Sequence, residues 1–412
     1  MLIFKIWTIC TGVFFLLQAL WTLRFTKSIF LLKNQSLDLT SNFSNALTSD
    51  ETLPKISIVI PACNEEDTIE RAAKSLLAVD YPRLELVFVN DRSTDATGRI
   101  IDRLALRDQR IKSVHVKELP EGWLGKVNAL AKGISLTQSD WILLTDADVH
   151  FSPKALRKAI AYCLQKNLDF LTAIPDLHTS SLSLQIMMSQ LYHQASLFFD
   201  PKKLNDPKTK VCYGQGAFLL FKRSSYEQSE KLDWLKMEVI DDTGLALLLR
   251  RAGARMGAVS GLDEIKLEWY PHLPGLIRGL EKNGFAFFSY SPLMLISFVL
   301  FVWTLFVGFT VAPFFSIYGI YGAFTILCLA FYLMTIRWQL QQLMKVKILC
   351  ILLYPISFAL LPLIFIRSAA LTLWRRGIIW RGTFYSLKDL RSEQRMKLAN
   401  LVFSKPGAPY TK

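Results

Sequence analysis

Apolar positions are distributed along this chain in two ways. From 54 to about 275, short apolar runs alternate with amphipathic stretches, as in a globular domain. Outside that region they form long blocks: 2–23 is uncharged apart from Lys5, and 293–315, 316–336 and 348–366 are at or near bilayer-spanning length. Residues 35–53 are polar and aperiodic, which predicts a linker. Within the globular part, Ile56-Ser-Ile-Val-Ile60 reads as a β-branched strand closed by Pro61. Ile69, Ala72, Ala73, Leu76 and Leu77 make a helical stripe over 66–78 that Tyr81-Pro82 stops. Strands are predicted at 84–89, 111–116 and 141–144, and helices at 93–106, capped by Ser93 or Thr94, and at 123–135. A helix at 153–166, a strand at 170–174, a Met- and Leu-rich helix at 181–199, a strand at 218–221 and a helix at 243–251 follow.

Strands alternating with helices predict parallel βαβ units. In such sheets ligands collect beyond the carboxyl ends of the strands. Pro61-Ala62-Cys63-Asn64-Glu65, Asn90-Asp91 and Asp146-Ala147-Asp148 all fall there. Two carboxylates one residue apart at a strand end can meet one hard cation. Asp241-Asp242 open a further helix. The expectation is one site with three stations for nucleotide, metal and acceptor. Taken singly, each acidic group has a plainer reading as a loop solubiliser or helix cap.

The 412 residues are 51% hydrophobic with a formal net charge of +14, enough for one sizeable soluble domain and a membrane part. The basic excess gathers beside apolar spans, at Arg375, Arg376, Arg381, Lys388, Arg391, Arg395 and Lys397, which predicts contact with anionic lipid and no nucleic acid. Six cysteines without a CxxC pair, and five histidines without HExxH, predict no disulfide framework, no zinc site and a reducing compartment. The 2–23 run is long for a signal-peptide core and lacks a small-residue cleavage site, so a retained anchor is expected. Arg24, Lys27 and Lys33 outweigh Lys5, placing the domain in the cytoplasm beneath the cell (inner) membrane. Three further spans would then put the basic tail outside, against the same rule. Pro355 and Pro362 suggest that 348–374 is a broken, re-entrant pair.

Five elements together resemble the family-two glycosyltransferases: Ile-Val-Ile-Pro-Ala-Cys-Asn-Glu-Glu66, Val-Asn-Asp91-Arg-Ser-Thr-Asp, Gly122-Trp-Leu-Gly-Lys126, Asp146-Ala-Asp148 and Ile240-Asp241-Asp242. The resemblance covers 54 to about 292. With Phe285-Ala-Phe-Phe-Ser-Tyr-Ser-Pro292 and Trp380-Arg-Gly-Thr-Phe-Tyr385 it looks closest to the hopene-associated and ceramide-glucosyltransferase-like membrane branches. It implies an α/β, Rossmann-like GT-A domain with one N-terminal and three to four C-terminal transmembrane segments. The expected layout is an anchor at 1–25, a linker at 26–53, the catalytic domain at 54–275, an interfacial segment at 276–292, membrane spans at 293–374 and a basic tail at 375–412. The chain departs from the processive and ceramide-specific pattern in one place. Leu276-Ile-Arg278-Gly-Leu-Glu-Lys282-Asn283 lacks the Arg-Trp pair found there.

The resemblance implies transfer of a single sugar from a nucleotide diphosphate sugar, expected to be UDP-linked, to a lipid or polyprenol-like acceptor, with inversion. Asp148 is expected to ligate Mg²⁺ or Mn²⁺, with Asp146 on the ribose or beside the metal. Pro61, Ala62, Asn64, Glu65, Asp91 and Ala147 are expected to line the nucleotide pocket, with the Lys126 ammonium on a phosphate. Asp242 is the candidate base and Asp241 its orienting partner. Gly216, Arg278, Lys282 and Asn283 are assigned to the acceptor or diphosphate side. His150 is a weaker candidate nitrogen ligand, more plainly a solvated loop histidine. The rival readings are a processive polysaccharide synthase and a non-catalytic membrane protein that retains the fold.

Overall fold

The computed structural model describes residues 2–31, 34, 53–179, 181–198, 201–204, 206, 209, 211–311, 314 and 319–397. Most of the expected linker, the junction at 315–318 between two expected spans, and the tail beyond 397 lie outside the described residues. The chain forms two compact units. One comprises Phe30–His178, Pro201–Trp269 and Ile379–Lys412; the other comprises Met1–Ile29, Thr179–Asp200 and Tyr270–Ile378.

The first unit is built on a nine-stranded sheet. Its strands are β1 (Phe30–Leu31), β2 (Ile56–Ala62), β3 (Leu84–Asp91), β4 (Ile111–Val116), β5 (Trp141–Leu144), β6 (Val149–Phe151), β7 (Phe170–Leu177), β8 (Leu219–Lys222) and β9 (Met256–Leu267). The order is β1-β9-β7-β8-β5-β2-β3-β4, with β6 on β9. Ile58, Val59, Ile60, Leu86, Val87 and Phe88 have no exposed surface, because central strands are covered on both faces. Each such side chain contributes about 1.5–3 kcal/mol of burial.

The expected parallel pairing holds for β2 with β3 and β5, and for β3 with β4. Beyond β5 the sheet is mixed: β8 runs antiparallel to both β5 and β7, and β6 runs antiparallel to β9. The chain leaves β2 for β3 on one side and returns to β5 on the other, so a crevice opens between the carboxyl ends of β2 and β5. The helix after β3 spans Thr97–Arg107, with Ala96 before it and no side-chain cap. Ser93 and Thr94 do not cap it; both hydrogen-bond Asn64 in the neighbouring loop. A hairpin of β10 (Gly377–Trp380) and β11 (Thr383–Ser386) follows the last long helix, and a short helix, Leu387–Glu393, comes after it.

The second unit is helical. Leu2–Ser28 packs along Ile320–Leu343, and Leu273–Phe287 packs along Tyr354–Arg375. His193 lies at its centre, with Nδ1 2.8 Å from Gln339 Oε1 and Nε2 2.7 Å from the Tyr332 hydroxyl. Among the described residues three helices are long and apolar enough to cross a membrane: 4–28, Ile320–Leu343 and Tyr354–Arg375. A fourth is possible only as a pair, Leu273–Phe287 with Pro292–Gly308, bent by 114°. The break expected within 348–374 is not a pair of half-helices. Ile348–Leu352 is a single short turn, and Tyr354–Arg375 continues through Pro362. The sharp bend falls instead before Pro292, where Ser289 and Tyr290 both adopt positive φ.

Candidate active site

The loops after β2 and β3 are laced together. The Asn64 N–H donates to Ser93 Oγ (3.0 Å), the Thr94 N–H donates to Asn64 Oδ1 (2.8 Å), and the Glu65 N–H donates to Thr97 Oγ1 (2.7 Å). Asn64 and Arg92 both sit in the left-handed region, with φ of 56° and 55°. The loops therefore hold a fixed, costly backbone at the crevice edge. Asp91 closes β3, and Arg92 grips its carboxylate through Nε (2.8 Å) and Nη2 (3.3 Å). Pro61 and Ala62 pair in register with Val89 and Asn90 at the same sheet edge. The Asn64 side chain is spent on this lacing. Glu65 accepts from the Thr68 hydroxyl (3.0 Å) and pairs with Arg381.

After β5, Thr145 ties its hydroxyl to the Ala217 carbonyl (2.7 Å), fixing the start of Asp146-Ala147-Asp148. Ala147 is buried. Lys126, on the helix Gly125–Ser135, lies 2.9 Å from Asp146 Oδ1 and 3.5 Å from Asp241 Oδ2. Burial alone would lower its pKa, but the carboxylates of Asp146 and Asp241 outweigh that and hold it charged. Asp242 accepts from the Gly216 N–H at Oδ2 (3.1 Å) and from the Thr243 N–H at Oδ1 (2.7 Å). A Cβ at Gly216 would stand 3.0 Å from Asp146 Oδ2 and 3.5 Å from Lys126 Nζ, so the missing side chain lets backbone and charges meet.

The structure thus brings Lys126, Asp146, Gly216, Asp241 and Asp242 together in one contact set. Asp148 joins it electrostatically. Burial first, then the charges of Asp146 and Glu65, push its carboxyl well above the ordinary range. Asp148 Oδ1 is buried without a hydrogen-bond partner, an arrangement that costs free energy unless a cation or proton fills it. Oxygen donors with one unfilled coordination position suit a hard divalent ion. No cluster of three or more His, Cys, Asp or Glu ligands exists among the described residues, so such an ion would take its remaining ligands from water or phosphate.

His150 is a strand residue, not a loop residue. It lies on β6 two positions after Asp148 and opposite Lys266, and burial followed by the nearby Arg71 charge lowers its pKa. Arg278, Lys282 and Asn283 fall in the helical unit, on the helix Leu273–Phe287, where Arg278 Nε reaches the Pro274 carbonyl of its own helix (3.4 Å). Sequence reasoning missed the hairpin's place at this site. The Arg92 Nη1 donates to Thr383 Oγ1 (3.3 Å), and the Gly125 N–H donates to the Tyr385 hydroxyl (3.2 Å). The element Trp380-Arg-Gly-Thr-Phe-Tyr385 was the available signal.

Residues 57–229 match the family model described as Glycosyl transferase family 2. The chain is 33% identical over 111 residues to a beta-monoglucosyldiacylglycerol synthase of Synechocystis, covering 26% of this chain and 23% of that protein. It is 29% identical over 176 residues to a poly-beta-1,6-N-acetyl-D-glucosamine synthase of Staphylococcus aureus, covering 42% and 41%. Such matches span less than half the length of the curated relatives. Among solved structures, the mannosyltransferase PcManGT of Pyrobaculum calidifontis, in complex with GDP-Man and Mn²⁺, superposes with a TM-score of 0.51 at 16% identity. The superposition covers 90% of this chain and 99% of that one, a likeness of fold.

Proposed function

We propose that this chain, which belongs to glycosyl transferase family 2 through residues 57–229 and folds as a GT-A domain, moves one sugar from a nucleoside diphosphate sugar to a lipid acceptor at a membrane. The observation that carries the proposal is the convergence of Lys126, Asp146, Asp241 and Asp242 beside the orphaned oxygen of Asp148. Asp242 takes the proton of the acceptor hydroxyl. The oxygen so freed bonds to the anomeric carbon, and the carbon–oxygen bond to phosphate breaks, its electron pair leaving with the nucleoside diphosphate. The two backbone N–H groups on Asp242 fix its direction while leaving lone pairs to accept the proton. Lys126 places a fixed positive charge beside the leaving phosphate. Mg²⁺ or Mn²⁺, held by Asp148 with Asp146, would offset the charge that develops on the diphosphate. Asp91, at the end of β3, is the nucleoside-side acceptor.

The apolar helices of the same chain support a lipid acceptor, as does the similarity to a beta-monoglucosyldiacylglycerol synthase. The lack of an Arg-Trp pair in the stretch 276–283 weighs against the polymer chemistry named for the S. aureus relative. The reading includes a topology by parity. The segment from 379 bonds to Arg92 and Gly125, which supports an even number of crossings after Trp269, with Ile320–Leu343 and Tyr354–Arg375 as the two and the bent pair kept to one side. Charge asymmetry about the first helix supports the cytoplasm as the side of the sheet.

The test is to incubate membranes holding the chain with labelled UDP- and GDP-sugars, with and without Mn²⁺, and to identify the labelled product by mass spectrometry. A metal-dependent, solvent-extractable lipid bearing one sugar is expected. Label confined to a water-soluble polymer, or no donor turnover, overturns the proposal.

A further inference from the structure

We propose that Arg381, at the apex of the β10–β11 hairpin, is a donor-binding residue whose guanidinium takes the diphosphate of the nucleoside diphosphate sugar. The inference rests on the function proposed above and assigns a further contact in the same site. The hairpin arrives from far along the sequence. Arg381 pairs with Glu65 across 316 positions, Thr383 meets Arg92 across 291, and Tyr385 meets Gly125 across 260. Those three partners belong to the β2 loop, the β3 loop and the start of the Lys126 helix, which are the walls of the crevice. Farther on, Glu238 Oε2 accepts the N–H groups of Arg395 (2.8 Å) and Met396 (2.9 Å), three residues before Asp241. The segment 379–396 therefore straps the crevice from its nucleoside edge to its acid pair.

The turn itself points to a ligand. Arg381 and Gly382 are the two loop residues between β10 and β11, with φ of 47° and 78°. A two-residue loop with both φ positive is a type I′ turn, whose first position favours Asn, Asp or Gly. An arginine there is locally unfavourable, and an outlier held at a site is a ground for assigning it a task. The guanidinium is also the right chemistry. It offers a planar, positively charged fork that matches phosphate oxygens. Its side chain is 47% exposed, against 20% for Glu65, so it can turn to an incoming ligand without breaking a buried pair. Lys126 is already held between two carboxylates, and Arg92 is bound to Asp91. Before donor binds, Glu65 keeps Arg381 at the crevice; with donor bound, the diphosphate replaces or joins Glu65 as its partner.

The test uses the full chain in lipid nanodiscs with Mn²⁺ and titrates UDP, GDP and the matching monophosphates. Arg381→Ala should weaken the bound diphosphate at least tenfold and the monophosphate less than threefold, with Arg381→Lys in between. Arg381→Gln, which keeps a polar side chain at the turn but no charge, should lose the diphosphate as selectively as Arg381→Ala. If Arg381→Ala weakens both nucleotides equally or neither, or if Arg381→Gln keeps the diphosphate affinity of the unaltered chain, the residue merely braces the loop and the inference is overturned. If Arg381→Ala does not fold, the ratio measured with Arg381→Lys decides alone: no selective loss of the diphosphate overturns it. If the unaltered chain binds no nucleoside diphosphate, the proposed function is what has gone, and this inference goes with it.

Discussion

The two units solve the same problem of buried polarity in opposite ways. In the sheet unit apolar side chains fill the interior and the carboxylates of the site gather at its edge, Asp91 and Asp146 against a cation and Asp242 against a backbone N–H, with Asp148 Oδ1 left without a partner. In the helical unit the outward side chains are apolar, with Leu293, Ile320, Leu327 and Met334 all about two-thirds exposed or more. The polar ones, His193, Gln190, Gln339 and Ser357, are sealed inside. On the proposed function one unit is patterned for water and the other for hydrocarbon, where a polar group has no solvent to turn to. The difference teaches where chemistry can be read. In the sheet unit the unpartnered Asp148 Oδ1 lies in the acid cluster, where a cation can meet it, whereas in the helical unit the bonded pairs His193–Gln339 and Ser357–Gln190 join one helix to the next.

The largest break in that contrast should come from Asp242→Asn. The amide keeps the shape and the hydrogen bond to the Gly216 N–H but cannot take a proton at neutral pH. Turnover should fall by about 10³-fold, within the span typical of a general base, while donor affinity stays within about threefold. Residual turnover within tenfold of the unaltered chain would remove Asp242 as base. The pH profile sharpens the same point. Burial first, then the neighbouring Asp241 charge, lifts the Asp242 carboxyl to about 6. The ionised form is the active one, so the rate should be level above that value and fall about tenfold per unit as pH drops through it. A rate that is flat down to pH 5 contradicts the assignment.

Leu327→Asp tests the other unit. Leu327 lies within Ile320–Leu343 and is 69% exposed. If that face meets lipid, a carboxylate there costs about 3 kcal/mol of insertion. The fraction of chain resisting carbonate extraction should drop sharply, with no change in donor binding by the chains that do insert. Full retention in the membrane would mean that this face meets water or protein.

Much of this contrast was legible beforehand, for physical reasons that can be named. β2, β3 and β5 are short β-branched and apolar runs with few competing readings, and ligands at their carboxyl ends follow from parallel topology. β9 was not legible. Met256-Gly-Ala-Val-Ser-Gly-Leu-Asp-Glu-Ile-Lys-Leu267 holds two glycines and three charges, and it becomes a strand through pairing with β7. Glu264, buried on it, is matched by Lys158 and Ser152 from distant sequence, which no local pattern encodes. The acid cluster was legible as residue types but not as a contact set. Lys126 meeting both Asp146 and Asp241 depends on how a helix seats on the sheet. The hairpin was legible as a motif and not as a place, because its partners lie hundreds of residues earlier.

The smallest expected effect closes the comparison. Leu106, in the helix Thr97–Arg107 of the sheet unit, is 90% exposed, more than Leu327. By surface alone, Leu106→Asp should be the more disruptive or the more harmless of the two substitutions, depending only on what lies outside. A leucine facing water has already forgone its burial energy, so its replacement should change stability by no more than about 0.5 kcal/mol. A new carboxylate in the last helical turn adds a slight unfavourable dipole term of about 0.3 kcal/mol or more. Thermal unfolding in nanodiscs should therefore shift by a degree or two at most, with membrane retention unchanged. If Leu106→Asp instead strips the chain from membranes as Leu327→Asp is expected to, the outer face of the Thr97–Arg107 helix also meets lipid, and the division between a water-facing and a hydrocarbon-facing unit does not hold there.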